Sequence, residues 1–350
     1  MNGAALRLSR RDYGCCNPVL AARQGLLGHF EEPVPYTPRP VYVRPAAETV
    51  KSRSLSDEHH RLAMLKRASA SYRHIRVCTM ELERQGISYT VDTARMLKAH
   101  YPNDQFFWLI GSDQALQLSR WKEIDALLQL VRIVVFSRQD VRMPKTPYPL
   151  LFQPMRLVAV SSTQIREGRG WHYVPEAVKT YISANRLYLE SFVKGHMSEK
   201  RYAHSVRVAQ LSVQLARAHQ LDEGIAYEAG MLHDLCKEMP KAEMRIWMRQ
   251  LFPQYLHEAP AIWHGYLGSV FAHRAYGCRS RQVRCAIYHH VKGDSTQPYA
   301  MITYCADKLE WGRGYDSSEQ IALCMRSLHQ GFLRVKEEQS EYLKKEKDGQ

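Results

Sequence analysis

Phe106-Phe107-Trp108-Leu109-Ile110-Gly111-Ser112-Asp113 is the stretch that decides the architecture of the first half of this 350-residue chain. Five apolar residues in a row, stopped by a glycine and two small polar residues, have the length of a buried strand and are too few for a helix. Working outward, strand and helix patterns alternate. Val41–Val43, 75–80, 133–136 and 157–160 read as further strands; 57–70 (with Leu62, Met64 and Leu65), Thr90–His100 and Ile124–Leu130 read as helices. Asp92 falls near the start of Thr90–His100, where the helix dipole favours negative charge. This alternation predicts an α/β domain, a parallel sheet with helices on both faces.

In such sheets ligands bind outside the carboxyl ends of the strands, and the polar clusters fall there. Gly111 permits close backbone approach, and Asp113 can accept from a ribose hydroxyl. Ser161-Ser162-Thr163-x-Ile165-Arg166 follows another strand and opens a helix, where free amides, hydroxyls and a guanidinium suit an anion. Read alone, the Ser-Ser-Thr is also an ordinary N-cap. With Ile87-Ser88-Tyr89-Thr90-Val91-Asp92-Thr93, Leu118-x-x-Trp121-Lys122 and Tyr173-Val174-Pro175-x-Ala177-Val178, these segments closely resemble the nicotinate-nucleotide adenylyltransferases, from Val41 to about Tyr188. The resemblance implies a Rossmann-like nucleotidyltransferase domain over 41–190 that joins ATP and nicotinate mononucleotide. It implies Thr90 and Trp121 on the nicotinate nucleotide. Gly111, Asp113, Ser162, Thr163 and Arg166 would hold ATP, with magnesium on the phosphates. Trp121 reads equally well as a core aromatic.

The front of the chain departs from that family. Its members open with a strand, a glycine-rich turn and a His-x-Gly-His or Thr-x-Gly-His motif. Residues 1–40 offer only Leu26-Leu27-Gly28-His29, and Val50-Lys51 stands where His-Lys is usual. The segment is rich in Arg and Pro with little periodicity. It reads as a shifted reading frame or misplaced start, or as decay of the site. On either reading the first strand and two imidazoles that stabilise phosphoryl charge are expected to be missing, so adenylyl transfer should be weak or absent.

The second half carries a different signal: His204, His233-Asp234, His264, His290 and Asp307. Imidazoles and carboxylates suit divalent transition ions, and six such groups suffice for two ions sharing a bridging group. Each His lies at helical spacing with apolar residues: His204 with Val208, Leu211 and Leu215, His233 with Ala226 and Ala229, His264 with Leu267, Gly268 and Phe271, His290 with Val283, Ala286 and Ile287. One such His is ordinarily a hydrogen-bonded core residue; several on several helices need a common partner. Helix neighbours diverge by ~100°, so His233 and Asp234 can share a site only at a helix edge.

Arg201-Tyr202-Ala203-His204, Leu232-His233-Asp234-Leu235-Cys236-Lys237, Trp263-His264-Gly265, Tyr288-His289-His290 and the run from Cys305 to Arg313 resemble the HD-domain metal-dependent phosphohydrolases, in particular the bacterial HD-type symmetrical diadenosine tetraphosphate hydrolases. The resemblance runs from about Ser198 to Tyr315. It implies an all-α HD domain over 191–335 with two divalent ions (iron, or manganese), cleaving diadenosine tetraphosphate to two ADP. Apolar spacing together with the resemblance selects His290 over His289. Asp234 is then the bridging ligand, and Lys237 a catalytic cation neutralising phosphoryl charge. Lys237 reads nearly as well as the start of a charged surface stretch.

Composition sets the frame. At this length two domains are the default. No apolar run is long enough to span a bilayer, and the N-terminus lacks the apolar core of a secretion signal. The 8 cysteines show no Cys-x-x-Cys spacing, favouring reduced thiols in a cytoplasm. The net charge of +14 is dispersed and matches polyanionic small molecules at least as well as nucleic acid. The charged tail, 336–350, reads as a solvated, fraying helix end. Oligomeric state stays open, a homodimer included. Two rival readings remain: an active adenylyltransferase with an accessory HD domain, and a nucleotide- or RNA-binding regulator.

Overall fold

The computed structural model describes residues 5–8, 41–43, 56–73, 75–84, 88–137, 146–154 and 160–348. The chain divides into two compact units: Met1–Ile165 with Tyr173–Val178, and Arg166–His172 with Lys179–Gln350. The expected strand at 157–160 and the Gly28-His29 and Val50-Lys51 positions lie outside the described residues, Val160 excepted.

The first unit is a six-stranded, all-parallel sheet: β1 Ala5–Leu8, β2 Val41–Val43, β3 Ile75–Val77, β4 Phe106–Gly111, β5 Val131–Ser137 and β6 Leu150–Pro154, in the order β3-β2-β1-β4-β5-β6. That is the order of a doubly wound Rossmann-like sheet. Its helices are α1 Glu58–Ser69, α2 Thr90–His100 and α3 Ile124–Leu130. The period of two along β4 sorts its side chains between two layers. Phe106, Trp108 and Ile110 pack with Val91, Ala94 and Leu97 of α2 and Leu127 of α3, whereas Phe107 and Leu109 pack with Leu65 of α1. All five are buried, each contributing roughly 1.5–3 kcal/mol by removal from water.

One sequence expectation is corrected. The chain does not lack its first strand: Ala5–Leu8 lies between β2 and β4, Leu6 opposite Val41 and Phe107. Without it the facing backbone groups of β2 and β4 would be unpaired, and Ala-Leu-Arg-Leu is extended enough to fill the gap.

The second unit is helical: α4 Glu199–Ala218, α5 Glu223–Leu232, α6 Lys241–Leu251, α7 Trp263–Phe271, α8 Arg281–His289, α9 Pro298–Leu309, α10 Ser318–Arg326 and α11 Leu328–Asp348. Caps set its frame. Ser198, Asp222 and Ser280 accept from the third amide on at α4, α5 and α8, and Pro298 occupies the first turn of α9. Helix α9 is buried on nearly every side from Tyr299 to Asp307, as befits a central helix; α4, α5, α8 and α11 pack around it. Gly230 of α5 lets that helix ride against Ala209 of α4: a Cβ there would come 2.5 Å from the Ala209 Cα. The segment from 336 continues α11 as a helix to Asp348, with Glu337 and residues 340–344 exposed; Phe332 and Val335 anchor the turns before it in the core, and Lys336 donates to the Gly293 carbonyl at 2.8 Å.

Candidate metal centre

Five helices deliver the six expected ligands to one place. His204 comes from the second turn of α4, His264 from the first turn of α7 and Asp307 from the last turn of α9. His233 and His290 are the C-caps of α5 and α8. Asp234 follows in a chain of turns, with Leu235 N–H donating to the Leu232 carbonyl and Lys237 N–H to that of Asp234. His233 still has helical backbone angles, so the pair share the site at the very end of α5, the helix edge that the sequence called for.

The imidazoles are oriented from behind. Nδ1 of His233, His264 and His290 lies 2.7, 2.8 and 2.6 Å from the carbonyls of Gly230, Ala261 and Ile287. His204 Nδ1 lies 3.0 Å from Glu310 Oε1. Each acceptor fixes the proton on Nδ1 and leaves Nε2 as the ligating nitrogen. The four Nε2 atoms converge: His233 to His204 is 3.3 Å and His264 to His290 is 3.1 Å. Two ring nitrogens so close must share either a proton or a cation.

Asp234 divides the set. Its Oδ1 lies 3.2 Å from His264 and 3.6 Å from His290, and its Oδ2 3.5 Å from His233 and 3.8 Å from His204. Asp307 Oδ1 is 3.1 Å from His204 and 3.7 Å from His233. The donor atoms of His204, His233 and Asp307 lie within 4.8 Å of one another, as do those of His233, Asp234 and His290. This set of buried nitrogens and carboxylate oxygens can hold divalent metal ions.

Electrostatics agree. Burial disfavours charge on Asp234 and Asp307, yet His233, His264 and His290 around the first, and Lys308, His204 and His233 around the second, outweigh it and hold both carboxyls well below the usual range. Burial pushes His290 down to about 4 and lowers His264, so both rings are neutral. His233 is the exception: burial lowers it, but Asp234 and Asp307 together raise it.

Around the ligands stands a ring of side chains to which sequence reasoning gave no role. Arg201 donates to Asp234 Oδ2 at 2.8 Å, and Lys308 to Asp307 Oδ2 at 2.8 Å. Arg313 donates to Asp307 Oδ1 at 2.6 Å. Glu310, 1% exposed, takes Arg207 and the Gly312 amide besides His204. The available signal was the run Asp307-x-x-Glu310-x-x-Arg313, a ligand followed at turn spacing by its own partners. Lys237 Nζ reaches within 3.4 Å of His264 Nε2; burial of its head group lowers its pKa against the pull of Asp234 and Asp307. Arg201, Lys237, Lys308 and Arg313 line a cavity of about 750 Å³ that reaches Asp234 and Asp307. Four cations there outnumber three acids, Asp234, Asp307 and Glu338.

The comparisons with known proteins follow the same division. Residues 38–168 match the cytidylyltransferase-like family. The chain is 41% identical over 138 residues to the nicotinate-nucleotide adenylyltransferase of Bacillus subtilis, spanning 38% of this chain and 72% of that one. The chain belongs to the nicotinate-nucleotide adenylyltransferase family. It carries an HD domain as well, matched over residues 201–312. Two relatives match across both parts. A Mycoplasma pneumoniae protein described as a probable nicotinate-nucleotide adenylyltransferase/Ap4A hydrolase is 29% identical over 309 residues, 82% of this chain and 87% of that one. The Mycoplasma genitalium protein of the same description is 27% identical over 284 residues, 78% and 81% of the respective chains.

In the stretch matched to the cytidylyltransferase-like family, most of the expected nucleotide residues sit at strand ends and helix starts. Gly111 closes β4, and Ser112 and Asp113 open a one-turn helix. Thr90 opens α2, 3% exposed, with its hydroxyl unpaired among the described residues. Trp121 is packed in the core with Val91, Leu118 and Ile124. Ser162 is buried, Thr163 exposed and Arg166 half-buried along a short helix, Ser162–Arg166. Ser161 and Gln164 satisfy each other there as a capping box: the Gln164 amide reaches Ser161 Oγ at 3.1 Å, and the Ser161 amide reaches Gln164 Oε1 at 2.7 Å. No helix among the described residues is long and apolar enough to cross a membrane.

Proposed function

We propose that this chain is a metal-dependent phosphohydrolase of dinucleoside polyphosphates, with diadenosine tetraphosphate, cleaved symmetrically by one water to two ADP, as its substrate. The observation that carries the reading is the imidazole–carboxylate cluster divided by Asp234 and opening into a cavity rimmed by Arg201, Lys237, Lys308 and Arg313. His204, His233, Asp234, His264, His290 and Asp307 would hold two divalent ions, iron or manganese. When bound, such ions lower the pKa of a coordinated water toward neutrality and screen the attacked phosphate. The chain's own groups do the rest. Asp234 faces both donor sets and would be shared between them. The four cations offer charge-assisted hydrogen bonds to phosphate oxygens, strongest where negative charge grows during bridge-oxygen cleavage. Lys237, beside His264 and lining the cavity, would neutralise charge on the diphosphate of the leaving ADP. The names of the two Mycoplasma relatives support the same substrate.

The test is metal analysis of the purified chain coupled to turnover of diadenosine tetraphosphate, with Asp234→Ala as control. The intact chain should carry metal and release ADP alone; the variant should lose both. Full activity in Asp234→Ala would end the assignment.

A second reading rests on the adenylyltransferase family membership: synthesis of the nicotinate dinucleotide from ATP and nicotinate mononucleotide, with Mg²⁺ on the phosphates and Thr90, Gly111, Asp113, Trp121, Ser162, Thr163 and Arg166 binding the two nucleotides. Residues 1–40 lack the full His-x-Gly-His or Thr-x-Gly-His motif that would stabilise the α-phosphate, keeping only Gly28-His29, so pyrophosphate release should be weak or absent. Turnover at rates comparable to diadenosine tetraphosphate hydrolysis would reverse the ranking.

A further inference from the structure

The cavity beside the metal centre changes character along its length. Its inner end is cationic, as described. Its outer end is built from Leu309, Tyr315, Gln320 and one face of α11: Val335, Glu338, Gln339 and Tyr342. The spacing of those α11 residues, three, four and seven apart, puts them on a single stripe. Nothing there needs a further phosphate. Glu338 is already matched, taking Arg334 Nε at 2.6 Å and Gln320 Nε2 at 3.2 Å. What the outer end offers is the apolar Leu309 and Val335, the amides of Gln320 and Gln339, and two aromatic rings, Tyr315 and Tyr342, which are 56% and 58% exposed.

These rings stand on fixed supports. The Tyr315 hydroxyl donates to the carbonyl of Lys308, itself a cavity residue. Helix α11 is held by buried Phe332 and Val335, with Phe332 edge-on to Tyr304 of α9. Aromatic rings and amides that line the same cavity as four cations match a nucleobase whose phosphates lie on those cations.

We propose that Tyr315, Gln339 and Tyr342 form an adenine subsite, so that α11 makes the centre select nucleoside polyphosphates over inorganic ones. The proposal rests on the hydrolase reading of the same site. Stacking on an aromatic side chain is sequence-tolerant and strong enough that losing one ring should weaken nucleotide binding by about tenfold. Gln339 would add hydrogen bonds to the base edge.

The experiment is amide hydrogen exchange on the full chain loaded with manganese(II), titrated with ADP and, separately, with inorganic tripolyphosphate. ADP should slow exchange over 335–342 and 311–320, and tripolyphosphate should not. In Tyr342→Ala the ADP concentration giving half-protection of 311–320 should rise about tenfold; Tyr342→Phe should restore it, and Gln339→Ala should shift it less. Unchanged exchange over 335–342 with ADP, equal protection by tripolyphosphate, or an alanine variant that titrates like the intact chain would each overturn the proposal. Turnover of diadenosine tetraphosphate, read in parallel, separates the two claims. Turnover without these effects removes the subsite alone, and the effects without turnover keep the subsite and remove hydrolysis. Absence of both removes both.

Discussion

Glu228 has no part in the metal centre, yet it is 4% exposed. Arg186 Nε stands 3.6 Å from its Oε2, and its Oε1 has no hydrogen-bond partner among the described residues. Burial raises its pKa; Cys278 and Arg186 pull it down without prevailing. A carboxyl raised on folding binds its proton more tightly in the folded chain, so its contribution is whole below the unfolded value and is lost as pH climbs through the folded one. Glu228→Gln, neutral at every pH, should therefore match the natural chain near pH 4 and gain on it toward pH 8. The gain should appear as a melting temperature that rises relative to the natural chain as pH increases. Thermal melts of both proteins across that range check it; a variant less stable at pH 8 would show that the Arg186 attraction dominates. The same contrast explains what was legible at single positions. His204, His233, His264 and His290 stood out because an imidazole on an apolar stripe is unusual. Glu310 did not, because an acid that will be buried against His204 and Arg207 looks, in sequence, like any acid on a charged helix end.

Among the elements, the contact of α4 with α5 matters most, since it brings His204 to His233. Gly230→Ala adds a methyl 2.5 Å from the Ala209 Cα and 2.8 Å from its nitrogen, both backbone atoms that cannot turn aside. Overpacking of this kind costs about 1–3 kcal/mol, more than the helix propensity alanine brings, roughly 1 kcal/mol. The variant should melt lower and retain less metal; wild-type melting with full metal content would mean the helices separate without disturbing the cluster. Element boundaries were readable where pattern and end signals coincide, as in Thr90–His100 and Ile124–Leu130, which the structure reproduces. Leu150–Pro154 was not, because it is an edge strand closed by a proline and only partly buried, so it shows no alternation. Ala5–Leu8 was missed for a related reason. Four residues inside an Arg-rich stretch carry no periodicity, and only the two strands beside them define their place.

For the molecule as a whole, two units of unlike construction should respond differently to a chelator. The expected ligands come from five helices of the second unit. Removing metal should lower the melting transition of that unit by several degrees, as binding to the folded form alone requires, and leave the transition of the parallel-sheet unit in place. Calorimetry with and without chelator reads this, and equal shifts in both transitions would contradict it. Two domains were visible from the switch between strand-and-helix alternation and purely helical spacing. The part played by α11 was not, since Glu338, Gln339 and Tyr342 acquire meaning only once α9 has brought Asp307 beneath them.

The unequal halves of the cluster have one more consequence. On one side of Asp234 stand Asp307, His233 and a His204 backed by Glu310; on the other stand two neutral rings, with the Lys237 ammonium 3.4 Å from His264. On the two-ion reading a first ion would settle on the carboxylate-rich side. A second would then meet an Asp234 already engaged by the first, with the Lys237 ammonium close by. Filling should be stepwise, with extensively dialysed protein retaining nearer one equivalent than two, and the looser position open to exchange with a different element.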